Sequence, residues 1–147
     1  SELDDTDTRI IPLFKGFTAK ERELCLKAAS LLDVDQVAIY VAPYFSSKQG
    51  NNRKQMFRAL DQCRAHDMPD VLLVGLLSPN YLERVPEFVV AASGQYQWRQ
   101  RYSPDEQTEG EMQASYRQLE HDVATALGIQ TTQQARPQRP SEPANGD

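Results

Sequence analysis

Residues 71–77 read Val-Leu-Leu-Val-Gly-Leu-Leu, a block in which only Gly75 is not a large aliphatic. A stretch with no polar side cannot lie on a surface, so whatever forms must enclose it. Pro69-Asp70 precedes it with a residue suited to cap a helix, and Ser78-Pro79 follows with a second N-cap and a proline at the first helical position. By helix rules, residues 9–82 become a succession of short amphipathic helices, none stable alone, that persist only when packed on one another. The expectation is an all-α fold: a compact multi-helix bundle over 9–94 and a long C-terminal amphipathic helix at 108–127, within a single domain spanning 9–128.

Local signals support individual elements. Thr18-Ala19-Lys20-Glu21 is a capping box, with Phe17 just before it. The helix it opens is expected to turn Leu24, Cys25, Ala28, Leu31 and Leu32 inward. Asn52 can cap the next helix, with Met56, Phe57, Leu60 and Cys63 on its buried side. A second box, Thr108 to Glu111, starts a helix whose apolar residues Met112, Tyr116, Leu119, Val123, Ala126 and Leu127 recur every three or four positions, and Gly128 stands where it should end. The run 36–42 is ambiguous, because Val37, Ile39 and Val41 alternate with Ala38, Tyr40 and Ala42, as in a strand. The alternative is therefore a three-layer α/β domain with a short parallel sheet built from 9–14, 37–42 and 71–77. A ligand would then lie at the carboxyl ends of those strands, near 43–47 and 78–80, and an enzymatic or ligand-binding role would reopen.

The 147 residues suffice for one domain. Residues 1–8 form an acidic arm and 129–147 a Pro/Gln-rich tail, and both are expected to be disordered. No run reaches the roughly 18 apolar residues of a membrane span, and the first residues lack the pattern of a signal peptide. Cys25 and Cys63 fit two reduced core thiols, so a cytoplasmic protein is expected. His66 and His121 have no partners at ligand spacing, and no nucleophile–base pair or phosphate loop is visible; neither metal, cofactor nor catalysis is expected.

The net charge is −5. Lys48, Arg53, Lys54, Arg58 and Arg64 nevertheless cluster against Asp61 alone. An acidic chain with one basic block is a poor nucleic-acid binder but suits an acidic protein partner or a second copy of itself. Glu21, Glu23, Asp33 and Asp35 could supply the acidic side. Trp98 with Arg99 and Arg101 interleaves aromatics and cations, as interface anchors do, or fills the space beneath the last helix. A nucleic-acid accessory role would use the basic block together with this aromatic stretch. In the tail, Pro137, Pro140 and Pro143 have the spacing of polyproline II.

Laid out as helices, residues 10–80 resemble the death-fold superfamily, in particular death-effector domains and bacterial effector-associated domains. The likeness rests on the capped segment from Phe17 to Cys25, the break Leu31-Leu32-Asp33-Val34-Asp35, the basic helix from Asn52 to Asp67 and the apolar segment from Asp70 to Leu77. Death-effector domains usually carry Arg-x-Asp-Leu near the last helix; here Arg64-Ala65-His66-Asp67-Met68 stands one residue out of step. The resemblance implies homotypic assembly: a non-catalytic adaptor or regulator in signalling, joining like domains or larger proteins through charged and apolar faces.

Overall fold

A computed structural model of the chain describes residues 8–16, 18–45 and 52–129. The acidic arm up to Asp7, Phe17, the loop containing Lys48 and the tail from Gln130 lie outside the described residues. The elements are β1 (Leu13–Phe14), α1 (Ala19–Leu32), β2 (Gln36–Tyr40), α2 (Arg53–Cys63), β3 (Asp70–Val74), α3 (Pro79–Leu82), β4 (Val89–Ser93), α4 (Tyr96–Arg101) and α5 (Glu109–Ala126), with a 3-10 turn at Ala42–Phe45.

The four strands form one parallel sheet in the order β1-β2-β3-β4. This overturns the all-α expectation, and with it the helical-bundle architecture that the death-fold resemblance implied. Both capping boxes form as read, on Thr18 with Glu21 and on Thr108 with Glu111. The error lay in the apolar runs. Asp70 opens β3 rather than capping a helix, and Gly75 ends that strand at φ +100°, a value no α-helix accommodates. A Cβ on Gly75 would lie 2.6 Å from the Cβ of Ala42, so the glycine also allows the segments after β2 and β3 to touch. The α/β alternative placed strands in three of the four right stretches and missed β4, whose Val89-Val90-Ala91-Ala92-Ser93 it did not read as extended.

Strand order decides the layering. Parallel neighbours need crossovers, and crossovers are right-handed. In the order 1-2-3-4 each one steps the same way, so every connecting helix falls on one face of the sheet. The core agrees. Phe14, Val37, Val71, Leu73 and Val89 share a single cluster with Ala29 of α1, Met56, Ala59 and Leu60 of α2 and Leu82 of α3. Val123, Ala126 and Leu127, in α5 and at its end, pack on the same cluster. The domain thus has two layers, not the three of the alternative.

Candidate interaction surfaces

Among the described residues, the sheet's second face lies apart from the core cluster. In register across the strands, Leu13, Ala38, Leu72 and Ala91 form one row, and Tyr40, Val74 and Ser93 form the next. These are the alternate residues of strands whose other side is the core. None of them belongs to the core cluster or packs against it. Leu13 is 47% exposed, and Tyr40, Leu72, Val74 and Ala91 are half-buried. Ala38 is buried, sheltered by its larger neighbours. The small residues Ala38 and Ala91 on either side of Leu72 keep the relief low. The one cation against this face is Lys15 among the described residues' cation–ring contacts, its Nζ 5.6 Å from the centre of the Tyr40 ring.

A second apolar surface lies on α1. The residues expected to face inward largely face out: Leu24 is 59%, Leu31 87% and Leu32 60% exposed. The helix instead turns Arg22, Cys25, Leu26 and Ala29 toward the sheet. The more apolar side of an amphipathic helix is ordinarily the buried one. Here the rotation is set by Ala29 in the core and by Arg22, which donates to Gln62 Oε1 at 2.8 Å and to the Tyr44 hydroxyl at 3.5 Å.

The carboxyl ends of the strands, where the α/β alternative placed a ligand, carry arginines stacked on aromatics. The Arg53 guanidinium lies 4.8 Å and that of Arg84 5.5 Å from the centre of the Tyr81 ring, and Arg84 is also 4.9 Å from Phe57. Ser78 is buried and Asn80 exposed. A strand order without reversal has no switch point, so this edge lacks the crevice in which doubly wound folds hold ligands. A cavity of about 20 Å³, room for one water, lies under α1 and α2, lined by Cys25, Cys63, Arg22 and apolar neighbours. Both thiols are free, and burial pushes that of Cys63 up, against an opposing pull from Arg22. At the amino ends of the strands an open groove of about 810 Å³ is rimmed by Glu23, Asp33, Asp35, Asp67 and Asp70, with Lys27 and His66.

The twelve interface candidates from the sequence do not form two opposed patches. Arg53 and Lys54 start α2, whereas Arg64 caps its other end, roughly 16 Å away at 1.5 Å per residue. There Arg64 pairs with Asp61 at 3.3 Å and Glu87 at 2.9 Å. Arg58 is exposed between them, and Lys48 lies outside the described residues. Glu21 closes the Thr18 capping box, Asp33 ends α1 with φ +48°, and Glu23 and Asp35 rim the acidic groove. Trp98 packs edge-on against Tyr116 and tilted against Tyr102, each with centroids 5.5 Å apart. Arg99 is exposed, and Arg101 is committed to Asp122 at 3.2 Å. The aromatic segment therefore ties α4 to α5. The bare sheet face and the α1 stripe were not foreseen as surfaces.

Among the described residues no group of three His, Cys, Asp or Glu side chains converges as a metal site would require, and no helix is long and apolar enough to cross a membrane. The described residues define a class, a two-layer parallel α/β domain with its helices on one face of the sheet. Family models, curated proteins and solved structures offer no match to the chain.

Proposed function

We propose that this domain is a non-catalytic interaction module, an adaptor or regulator whose principal docking surface is the bare face of its sheet. The row Leu13, Ala38, Leu72, Ala91 carries the proposal. Parallel sheets occur almost only with both faces covered, and here the described residues supply a helical layer on one face. The fitting occupant is an amphipathic helix of a partner protein, lying across the strands as a second layer would. Its apolar side would meet Leu72 and Val74, with the alanines allowing close approach. Exposed apolar surface rimmed by polar groups is the usual mark of such a contact.

The test places a photo-crosslinking residue at Leu72 in the full chain, activated in the expressing cells. The expected result is a small number of discrete protein adducts, lost when Tyr40→Glu and Val74→Glu are added in a chain whose circular dichroism is unchanged. Absence of adducts, or adducts indifferent to those two substitutions, would overturn the proposal.

A further inference from the structure

The contact between α4 and α5 uses only part of the aromatic surface that makes it. Trp98 meets Tyr102 and Tyr116 with ring centres 5.5 Å apart in both pairs, the second of them edge to face. Tyr116 is nevertheless 56% and Tyr102 43% exposed, and Trp98 is half-buried. Three adjoining rings, two of them open to water, make a stiff apolar patch whose tyrosines also carry hydroxyl donors. Proline-rich segments in the polyproline II conformation dock on aromatic surfaces of this kind. Their pyrrolidine rings pack flat on aromatic faces, and their backbone carbonyls, with no internal hydrogen bonds, are left to accept from such hydroxyls.

We infer that this patch is a docking site for polyproline II and that its occupant is the chain's own segment from Pro137 to Pro143. Pro137, Pro140 and Pro143 recur every third residue, one turn of that helix, so all three fall on one side of it. The tail that carries them is tethered within reach. From the end of α5 at Ala126, Tyr116 lies about 15 Å back along the helix axis at 1.5 Å per residue. Pro137 is eleven residues onward, a length of at most about 34 Å at 3.1 Å per residue. The excess is what a reversal of direction requires. Gly128, exposed at φ +66°, turns the chain off the helix where that reversal would begin. The charges agree. Glu109 and Glu120 are exposed on the side of α5 that carries Tyr116, and Arg136 and Arg139 bracket Pro137 in the tail. A proline-rich segment of another protein is the rival occupant. The tail is favoured because so short a tether holds it near the patch at an effective concentration on the order of 1 mM, which a free partner would have to match. The patch shares no residue with the sheet face to which a partner helix is assigned.

Acrylamide quenching of Trp98, the chain's single tryptophan, tests this in the full chain. Pro137→Ala with Pro140→Ala is expected to raise the quenching constant about twofold, as the tail leaves the ring. Circular dichroism stays that of the parent, because both positions follow the last helix. A peptide spanning residues 132–147, added at about 1 mM to match the tether, should return the double variant to the parental value and leave the parent unchanged. Dilution should not alter the parental value, because the contact lies within one chain. Equal quenching in parent and double variant overturns the inference. So does a difference that disappears on dilution, which would make the occupant the tail of a second copy. A parent in which Trp98 is protected only by an added unrelated peptide with proline at every third position also overturns it, and gives the patch to a partner. Leu72→Lys is expected to leave the quenching unaltered, so failure here and failure of the sheet-face crosslinking are read separately.

Discussion

The two faces of the sheet are built from similar residues and meet opposite fates. Val37, Val71, Leu73 and Val89 look into the helical layer and are 0–2% exposed. Ala38, Leu72, Val74 and Ala91 come from the same strands, one position along or, at the bulge in β4, two, and lie outside the core cluster of the described residues. Hydrophobicity alone does not tell a core face from an outer one; the direction of the crossovers does. A sheet whose strands are laid down in chain order receives all its helices on one side. To cover both faces, the chain would have to reverse direction partway, as doubly wound folds do. This sheet does not, and among the described residues its second apolar face lies outside the core.

That contrast can be broken most sharply by truncating neighbours in sequence. Leu73→Ala leaves a cavity in a closed core and is expected to lower stability by roughly 2–5 kcal/mol. Leu72→Ala, on the bare face, should lower it by less than about 1 kcal/mol in the monomer. Urea unfolding of the two variants decides this, and equal losses would mean that the second face is covered within the chain. Next in size is Gly75→Ala, which requires a positive φ and puts a methyl against Ala42. A loss of roughly 2–4 kcal/mol is expected from strain and overpacking together, by the same measurement.

Smaller effects sharpen the other regions. Asp122 is held below the usual carboxylate value, first by the hydrogen bond from Gln118 and then by Arg101. A lowered carboxylate contributes stability that is present above its unfolded-state value and lost as the pH falls through the folded one. The α4–α5 contact is therefore expected to loosen only below about pH 4. The fluorescence of Trp98, the chain's single tryptophan, reports it. Arg101→Ala should shift that acid transition to higher pH by a small margin, as partly exposed pairs contribute at most about 1 kcal/mol. Smallest is the thiol response. Cys25 is half-buried and Cys63 buried with its thiol pushed up by burial, so a thiol-specific reagent should modify Cys25 in the native chain and Cys63 only after unfolding.

Much of this architecture was legible in the residues, and the part that was not has a physical reason. Caps are local chemistry, so Thr18, Glu21, Thr108 and Glu111 announced α1 and α5. A fully apolar run shorter than eight residues has no period to read, so residues 71–77 fitted a buried helix as well as a buried strand. The alternation in 36–42 pointed to extended chain. It suits a short buried helix as well, and what resolves it is that helices flanking short apolar runs are what a parallel sheet requires. The orientation of α1 was misread for a different reason. A helix can be more apolar on its outer side than on its inner one, as Leu24, Leu31 and Leu32 show, and a single sequence does not separate that from a core face. Arg22 gave the one available hint, since an arginine on the inward side needs partners, which Tyr44 and Gln62 supply. Closeness in sequence does not make the basic residues of α2 one patch, because 11 helical residues place Arg53 and Arg64 at opposite ends of the helix.

The central claim is the difference between those two sheet faces. It is tested most directly by solvent paramagnetic relaxation at methyl groups, using a soluble gadolinium chelate on dilute chain. Strong enhancement is expected at Leu72 and Val74, with Val71 and Leu73 protected. Equal protection of all four methyl-bearing residues would contradict the account, because a layer of the chain itself would then cover the face assigned to a partner.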